Sequence, residues 1–477
     1  MTKGPSPDSM PDTDTSDKPV INPHLVRGYS IRGLADRDLP DEVVARIGYA
    51  AGIYFSHWHQ PTVVVGRDAR LSSPRISAAL TAALLHAGVH VIDIGLVPTP
   101  VHNFATDLCD PAAGIMVTAS HNPPEYNGLK LRRERTLDAQ ELHEIVALAA
   151  RSSPPFTSLP NAAALLTRTD VVPTYLEQVR RYGDVRRPLK VVLDGGHGTN
   201  GPLVASLLRT WGCQVVELHC VPDGHFPQRD PDPTAPGAVD ALVTAVRREA
   251  AEIGLAFDGD GDRLVVVDEQ GTRILGDQIM MLLAREVLRQ QPGARIVFEA
   301  LCTRALYDDV LAHGGEPIVT PTGYAYVHAA VLDHAAALGG ELSGHLFFNL
   351  PGFRFDDAIL GALRVLSLLS RDTLSLSEMV RALPAYHSSP PLRIACSDTV
   401  KREVVARVRD HFARLWPVDE LDGVRIDFGD GWGTVRASNT QPALVLRFEA
   451  RSAARLAEIT SVVIKQVEHA MRECEVG

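Results

Sequence analysis

Residues 254–267 read GLAFDGDGDRLVVV, two short apolar runs on either side of a turn that carries an aspartate at every second position. Apolar runs of this length, bounded by glycine-rich turns, are typical of buried β-strands. The intervening glycines allow tight or positive-φ backbone, so that Asp258, Asp260 and Asp262 can converge on one hard divalent cation. The stretch therefore predicts a metal-binding turn at the edge of a sheet.

An EF-hand loop is the main alternative for this turn, because Glu269 falls at the twelfth loop position. However, the sixth position, where an EF-hand has glycine, is Arg263, and the flanking runs are typical of strands and not of helices. A solvated acidic turn is the other alternative, but three crowded aspartates without a cation would repel one another. We expect Mg²⁺, because few protein carboxylates leave room for a phosphate oxygen in its coordination shell.

Strand and helix patterns alternate along most of the chain. Strand-like runs at Thr62–Val65, His90–Ile94 and Gly114–Thr118 are separated by helical patterns, which is typical of parallel strands joined by crossover helices. The same alternation restarts at Leu189–Leu193 and again at Arg295–Glu299. These repeats predict three α/β domains in succession.

The last part of the chain has a different pattern, typical of an α+β unit. Helical patterns at Thr399–Leu415 and Ser452–Arg472 accompany the strand-like runs Leu392–Ala395, Val424–Phe428, Gly433–Ala437 and Leu444–Glu449. We therefore predict three α/β domains with mixed or parallel sheets and a C-terminal α+β domain. The predicted segments are a disordered tail at 1–22, domain 1 at 23–167, domain 2 at 168–272, domain 3 at 273–384 and domain 4 at 385–477.

Composition excludes several classes of protein. Of the 477 residues, 45% are hydrophobic and 22% charged, as in an ordinary globular protein. The net charge of −11 and the lack of Lys/Arg blocks argue against nucleic acid or a membrane as partner. No apolar run reaches the roughly 18 residues of a transmembrane helix. Six scattered cysteines without a C-x-x-C pair, and an N-terminal tail without a signal-peptide h-region, predict a cytoplasmic protein.

A second motif, Thr118-Ala119-Ser120-His121-Asn122-Pro123, lies where a predicted strand ends. Loops at the carboxyl ends of parallel strands are where ligands bind in open α/β sheets. Ser120 could be a hydrolase nucleophile, although the Gly-x-Ser-x-Gly elbow is absent, or a helix-capping or turn residue. Beside the aspartate turn a further chemistry is available, because a phosphoserine carries about −1.5 to −2 charges and would be a fourth ligand for the cation.

Two further motifs complete a set of four: Gly340-Glu341-Leu342-Ser343-Gly344-His345 and Arg436-Ala437-Ser438-Asn439-Thr440-Gln441-Pro442. In this order and at these spacings the motifs resemble those of the α-D-phosphohexomutases, specifically the phosphomannomutase/phosphoglucomutase branch. The resemblance runs from about Tyr29 to the C-terminus. It implies four domains around a central cleft, and an enzyme that interconverts hexose 1-phosphate and hexose 6-phosphate, of glucose and/or mannose, through a phosphoserine and a hexose 1,6-bisphosphate.

The resemblance also implies roles for individual residues. Ser120 would be the phosphorylated serine and, with Asp258, Asp260 and Asp262, a ligand of Mg²⁺. The other groups expected near the transferring phosphoryl group are Lys130, which would assist proton transfer, Arg32, Arg263 and His345. The residues expected to bind the sugar and its non-reacting phosphate are Glu341, Ser343, Tyr324, Arg436, Ser438, Asn439, Thr440 and Arg447. Taken one at a time, these residues have ordinary structural explanations. His345, for example, could be a core histidine whose hydrogen bonds are all satisfied.

Three positions depart from that branch. The family segment Lys-x-Gly-His-Ser reads Pro321-Thr322-Gly323-Tyr324-Ala325 here, a lysine before Cys-Thr-Arg is replaced by Leu301, and an aspartate before Ile-Arg-Gly is replaced by Ser30. The first two changes remove positive or hydrogen-bonding groups from the domain-3 rim of the cleft, although the Tyr324 hydroxyl can still donate one hydrogen bond. They leave the transfer chemistry intact and bear on the choice of sugar.

Two alternatives follow from these departures. One is the same chemistry on another sugar phosphate, such as glucosamine phosphate or a pentose phosphate, and the other is a non-catalytic protein that binds sugar phosphates. For the mutase, the resemblance implies hexose 1,6-bisphosphate as an activator and a small-molecule sugar phosphate as the ligand. We expect a monomer or a homodimer, without a nucleic-acid or membrane partner.

Overall fold

The structure is a computed structural model that describes residues 21–57, 62–109, 112–152, 162–438 and 441–476. Its strands form separate sheets that follow one another along the chain, each with its own helices. The first three sheets mix parallel and antiparallel strands, and the last is antiparallel. This arrangement confirms the predicted fold class of three α/β domains and a C-terminal α+β domain.

The first domain is a mixed sheet with helices packed on it. Its strands are β1 (Val26–Arg27), β2 (Ser30–Leu34), β3 (Thr62–Arg67), β4 (His90–Leu96), β5 (Ala112–Val117), β6 (Tyr126–Arg132) and β7 (Leu166–Arg168), and its helices are α1 (Ala35–Asp38), α2 (Asp41–His57), α3 (Ser73–His86), α4 (Thr99–Leu108) and α5 (Ala139–Arg151). The strand order is β1-β2-β6-β5-β3-β4-β7. Strand β3 pairs in parallel with β4 and β5, whereas β6 pairs antiparallel with β2 and β5. Ser120 therefore follows a central parallel strand.

The second domain carries the aspartate turn. It comprises α6 (Val172–Val179), β8 (Lys190–Asp194), α7 (Gly201–Arg209), β9 (Gln214–Leu218), α8 (Asp240–Glu249), β10 (Ile253–Phe257), β11 (Leu264–Asp268) and β12 (Arg273–Ile274). The strand order is β12-β11-β10-β8-β9, with β10 parallel to β8 and antiparallel to β11. Every residue of β10 and β11 is buried. The turn between these two strands is thus rigidly supported on both sides.

The third domain brings a loop with three polar side chains toward the same region. It comprises α9 (Gly276–Gln290), β13 (Arg295–Glu299), α10 (Arg304–Ala312), β14 (Glu316–Thr320), α11 (Tyr324–Asp333), β15 (Leu338–Gly340), β16 (Leu346–Phe348), α12 (Ala358–Arg371) and α13 (Leu376–Arg381). The strand order is β14-β13-β15-β16, parallel except for the last pair. The Gly-Glu-Leu-Ser-Gly-His motif forms the turn between β15 and β16.

The fourth domain is an antiparallel sheet with two helices on it. It comprises β17 (His387–Ser388), β18 (Leu392–Ala395), α14 (Lys401–Phe412), β19 (Val418–Asp419), β20 (Val424–Asp427), β21 (Gly431–Ala437), β22 (Ala443–Ala450) and α15 (Ala453–Val476). The path is β17-β22-β21-β20-β19, and β18 also pairs with β22. The Arg-Ala-Ser-Asn-Thr motif thus leaves the end of β21.

One hydrophobic core runs through the first three domains. Phe104 of the first domain, Tyr175 of the second and Phe353 of the third are all buried in it, and their ring centroids lie 5.6–5.9 Å apart. The fourth domain has a separate core, around residues such as Leu446 and Phe448. The first three domains are therefore fixed against one another by apolar packing, and the fourth is joined to them mainly by polar contacts.

The elements that were predicted agree with the structure to within a few residues, but the sequence analysis did not identify several others, among them β2 and β6. Both strands are antiparallel additions beside the parallel part of the first sheet, and they carry glycine or charged side chains at positions that obscure the strand pattern. The predicted tail ends slightly late, since Ile21 is buried in the first-domain core; residues 1–20 lie outside the described residues. The domain boundaries themselves stay a prediction. Within the described ranges, no helix combines the length and apolar composition needed to cross a membrane.

Candidate active site

Ser120 and the aspartate turn meet across the boundary between the first two domains. The Ser120 hydroxyl donates a hydrogen bond to Asp258 Oδ2 at 3.0 Å, although the two residues are 138 positions apart. Ser120 is 2% exposed and has φ 52°, in the left-handed region that residues other than glycine seldom occupy. The serine is therefore held in an unusual backbone conformation that points its oxygen at the acids.

The three aspartates of the turn form a compact oxygen cluster. Each of Asp258, Asp260 and Asp262 offers one carboxylate oxygen within 4.8 Å of the others, and all three side chains are buried. Burial, together with Asp262 and Asp260, raises the pKa of Asp258 well above its usual range. Asp260 Oδ1 is buried without a hydrogen-bond partner among the described residues. An unsatisfied oxygen in a cluster of hard ligands fits a divalent cation such as Mg²⁺.

Lys130 is the principal counter-charge in this cluster. Its Nζ donates to Asp260 Oδ2 at 2.7 Å and also to Asp262 Oδ2. Burial lowers the pKa of Lys130, but Asp260 and Asp262 more than offset this effect and raise the pKa above its usual value. The lysine comes from β6, so its placement depends on an antiparallel strand that the sequence pattern does not reveal. A charged ammonium group is thus held beside two of the three acids.

Two arginines lie on either side of the serine and the turn. Arg32 Nη1 donates to Asn122 Oδ1 at 2.7 Å, and its Nε is buried without a partner in the described part of the chain. Arg263 Nε lies 4.0 Å from Asp258 Oδ2 and 3.4 Å from His345 Nε2. Contact of either guanidinium group with an anion on Ser120 stays a prediction.

The third domain contributes Glu341, Ser343 and His345 to the same cleft. His345 Nδ1 lies 2.6 Å from Glu341 Oε2 and 3.1 Å from Ser343 Oγ, and His345 Nε2 lies 3.3 Å from Asp262 Oδ1. Burial lowers the pKa of His345, but Asp262 and Glu341 outweigh burial and raise it to about 10. The neighbouring carboxylates thus favour the protonated form of the imidazole.

Tyr324 fills the position at which this sequence departs from the phosphomannomutase/phosphoglucomutase pattern. Its ring stacks on His345 with centroids 5.7 Å apart, and Lys130 Nζ lies 5.8 Å from its centre. Its hydroxyl donates to the carbonyl oxygen of Tyr29 at 3.3 Å. The other altered side chain, Leu301, is buried. The rim of the cleft is therefore aromatic and apolar where the family pattern is cationic.

The motif on the fourth domain is held by an ion pair at Arg436 and by a hydrogen bond to the backbone of Ser438. Arg436 Nε lies 2.7 Å from Asp422 Oδ2, which also accepts from the backbone N–H of Thr322 at 3.0 Å. Ser438 is buried beside Arg436 on the same segment, and Lys401 Nζ donates to its carbonyl oxygen at 2.6 Å. Asn439 and Thr440 lie outside the described residues. Arg436 is thus linked to the third domain through Asp422.

Arg447 occupies a different environment from the rest of the expected anchor. It is fully buried, its Nη2 lies 3.0 Å from Asp277 Oδ2, and its Nη1 donates to the carbonyl oxygen of Leu301. Both terminal nitrogens are engaged between the third and fourth domains in this arrangement. Contact of Arg447 with a substrate phosphate therefore stays a prediction.

Sequence reasoning did not identify several polar residues of the site. Thr99 Oγ1 donates to Asp260 Oδ2 at 2.7 Å, and Asp356 groups with Asp262 and His345 within 4.8 Å. Burial and the neighbouring Asp262 raise the pKa of Asp356 to about 6. Neither residue lies in a motif with a recognisable spacing, so nothing in the sequence pattern separates them from ordinary helix-capping and turn residues.

Comparison with known families assigns all four domains consistently. Residues 23–154, 173–271 and 275–386 match, in order, the domains described as phosphoglucomutase/phosphomannomutase, alpha/beta/alpha domains I, II and III. Residues 392–466 match the C-terminal domain of the same family. The matches therefore cover each of the motifs that the sequence analysis used.

Whole-chain relatives agree with these matches. The phosphomannomutase/phosphoglucomutase of Pseudomonas aeruginosa PAO1 is 38% identical over 455 residues, or 95% of this chain and 97% of that protein. The phosphoglucomutase of Neisseria gonorrhoeae is 35% identical, over 92% and 95% of the two chains. A crystal structure of a phosphoglucomutase/phosphomannomutase family protein from Burkholderia thailandensis superposes with a TM-score of 0.85 at 37% identity, over 94% and 98% of the two chains. The similarity thus extends over the whole fold and is not confined to the motifs.

Asp260→Asn should weaken binding of Mg²⁺ by about tenfold or more. The substitution removes one charged ligand and leaves the positive charge of Lys130 balanced by fewer carboxylates. Isothermal titration with MgCl₂ measures the effect directly. Asp240→Asn, at an exposed position of α8 in the same domain, is the matched control and should bind Mg²⁺ as the wild type does. Equal affinities for both variants would contradict the ligand role of Asp260.

Proposed function

The chain belongs to the phosphoglucomutase/phosphomannomutase family, and we propose that it interconverts the 1- and 6-phosphates of glucose and mannose through a phosphorylated Ser120. The observation that carries the proposal is the 3.0 Å contact between Ser120 Oγ and Asp258, which unites the first two motifs in one buried site. This reaction needs neither a hydrolase elbow nor a separate nucleophile, because a phosphoserine beside a cation-binding carboxylate cluster would itself be the phosphoryl donor.

The forward half-reaction moves the phosphoryl group from the serine to the sugar. The bond between Ser120 Oγ and phosphorus breaks, and the free hydroxyl oxygen of the hexose phosphate forms the new bond to phosphorus. The hydroxyl proton passes to the serine oxygen with the help of Lys130, which lies between Asp260 and Asp262. His345, which lies 3.3 Å from Asp262, would form a hydrogen bond with the reacting group.

Electrostatic stabilisation accounts for most of the rate enhancement in phosphoryl transfer, and this site is arranged for it. Asp258, Asp260 and Asp262 would hold Mg²⁺, which would draw negative charge from the transferring phosphoryl group. Arg32 and Arg263 supply fixed positive charge on the protein side. Because the site is buried, these interactions are stronger than they would be in water.

The second half-reaction requires the intermediate to reorient within the cleft. After transfer, the product is a hexose 1,6-bisphosphate whose other phosphate must reach Ser120. We propose that Glu341 and Ser343 bind sugar hydroxyls and that Arg436 and Ser438 hold the distant phosphate. The separate core of the fourth domain supports the proposal that this domain moves to admit and release the sugar. The same bisphosphate would act as an activator, since it can phosphorylate an empty Ser120.

Tyr324 supports a second candidate, the same chemistry on a different sugar. Together with Leu301 and Pro321, it leaves the domain-3 rim without the cationic and imidazole groups of the family pattern. An aromatic ring in contact with His345 and Lys130 offers an apolar face to a sugar and only one hydroxyl for hydrogen bonding. Glucosamine 1-phosphate and a pentose 1-phosphate therefore belong in the substrate comparison. The non-catalytic alternative predicts binding without turnover in the same experiment.

The setting of the enzyme is also a proposal. All six cysteines are free in the structure, which supports a reducing compartment and hence the cytoplasm. A monomer or a homodimer fits a cleft whose identified site residues all come from one chain.

Ser120→Ala should lower kcat with glucose 1-phosphate and mannose 1-phosphate by at least about 10³-fold, because it removes the hydroxyl that contacts Asp258 and would carry the phosphoryl group. A coupled assay with Mg²⁺ and a trace of glucose 1,6-bisphosphate measures this, with glucosamine 1-phosphate and ribose 1-phosphate run in parallel. Ser56→Ala, on the exposed face of α2, should keep the wild-type rate. A wild type without turnover on any of the four sugars would refute the proposed function.

Arg436→Ala should raise KM by about 10- to 100-fold, because a hydrogen bond to a charged group contributes ~1.5–3 kcal/mol. The change in kcat should be smaller, since the anchor is distant from the reacting bond. Steady-state kinetics with the preferred sugar phosphate separates the two constants. Arg402→Ala, at an exposed position of α14, is the control, and an Arg436 variant with an unchanged KM would count against the anchor.

A further inference from the structure

The main chain of Ser120 is held by a buried ion pair that the chemistry above does not use. Ser120 has a left-handed backbone, with φ 52°, and such a conformation persists only where the surroundings over-determine it. The surroundings here include Asp68 and Arg70, in the loop that follows β3. Their side chains are fully buried and lie 3.1 Å apart, from Arg70 Nε to Asp68 Oδ2.

Arg70 uses all five of its N–H groups within the protein. One goes to Asp68, and the other four donate at 2.6–3.0 Å to backbone carbonyl oxygens of the serine loop, those of Ser120, Asn122, Pro123 and Tyr126. A guanidinium group has five donors and no acceptor, so this one is saturated. Arg70 therefore fixes the loop on the carboxyl side of the serine, and it has no donor left for a phosphoryl group.

Asp68 fixes the loop on the amino side of the serine. Its Oδ2 accepts from Thr118 Oγ1 at 2.7 Å, and Thr118 Oγ1 in turn accepts from the backbone N–H of Ser120 at 2.8 Å. Its Oδ1 accepts from Ser73 Oγ at 2.5 Å. Both peptide groups that flank Ser120 are thus tied to a single ion pair, one directly and one through a threonine hydroxyl.

The second domain closes over this ion pair. The Phe226 ring centre lies 5.3 Å from the guanidinium carbon of Arg70. Gly224 packs so closely that a Cβ at that position would lie 2.5 Å from the carbonyl oxygen of Ala69, and a Cβ on Gly259 would lie 2.8 Å from the carbonyl oxygen of Ser120. The ion pair is therefore enclosed between the serine loop and the domain that carries the aspartate turn.

On the basis of the proposed function, we propose that the Asp68–Arg70 pair is a positioning element that decides whether the phosphoryl group goes to sugar or to water. In transfer, a sugar hydroxyl oxygen bonds to phosphorus as the bond to Ser120 Oγ breaks, and the sugar's proton passes to Oγ. In the competing hydrolysis, a water oxygen takes the sugar's place and inorganic phosphate leaves. Both reactions need the entering oxygen in line with Ser120 Oγ, but a bound sugar cannot follow a displaced serine as a free water molecule can. A loosened serine loop therefore loses transfer before it loses hydrolysis.

Thr118→Val and Thr118→Ser separate this role from simple packing, because only the serine variant keeps the hydroxyl. Each enzyme is phosphorylated with glucose 1,6-bisphosphate and its phosphate content is measured by intact mass. We then measure kcat and KM with glucose 1-phosphate, and the release of inorganic phosphate from phosphorylated enzyme without sugar. Thr118→Val should lower kcat per phosphorylated enzyme by about 10- to 100-fold with KM within about twofold, and raise the ratio of hydrolysis to transfer. Thr118→Ser should keep most of the wild-type kcat and a ratio of hydrolysis to transfer close to that of the wild type.

Arg70→Lys tests the other arm, with Arg46→Lys as its control. Arg46 is also a buried arginine of the first domain, and it donates to the carbonyl oxygens of Ala149 and Ala150 at 3.1 and 2.7 Å. Both variants should lose stability, but only Arg70→Lys should raise the ratio of hydrolysis to transfer. If Arg70→Lys does not fold, the two Thr118 variants decide the matter.

Two results would count against the proposal in different ways. A folded Thr118→Val enzyme with the wild-type kcat and the wild-type ratio of hydrolysis to transfer would overturn the positioning role alone. A wild-type enzyme that transfers no phosphoryl group to any sugar would overturn the proposed function, and the positioning role with it.

Discussion

Three carboxylates buried within a few ångströms of one another repel strongly, and the rest of the site is arranged around that repulsion. The counter-charges come from all three α/β domains: Lys130 from the first, Arg263 from the second and His345 from the third. None of these domains could bury the cluster alone without a large electrostatic cost. The continuous apolar core through the three domains is therefore what makes the charge arrangement possible, because it keeps the cations at fixed distances from the acids.

Sequence reasoning identified the fold class and the residues that lie in compact motifs. Ser120 and the three aspartates are recognisable because their residue types and local spacing suffice to suggest their chemistry. The residues that were missed act across long separations: Arg70 binds a loop about 50 positions away, and Asp356 lies close to Asp262, which is in a different domain. Such contacts depend on how sheets pack, which period and propensity do not encode.

The same limit explains why strands such as β2 and β6 were not identified and why the environment of Arg447 was not predicted. Strand β6 is held by pairing with β2 and β5 on both sides and not by its own propensity, so its sequence looks like a loop with glycine in it. Arg447 faces Asp277, 170 positions earlier, and its motif-based role says nothing of that partner. Tyr324 is a different case. The sequence shows that it departs from the family pattern, but its stacking on His345 follows only from the folded third domain.

The separate core of the fourth domain has a consequence for how proteins of this architecture diversify. Substitutions inside that core are expected to change the stability of the fourth domain without disturbing the core that the first three domains share. Substitutions in the shared core of the other three domains are transmitted to the reacting atoms. We therefore expect changes in substrate range to arise from substitutions in the C-terminal domain and along the domain-3 rim, where Leu301 and Tyr324 lie. The reaction itself should stay unchanged.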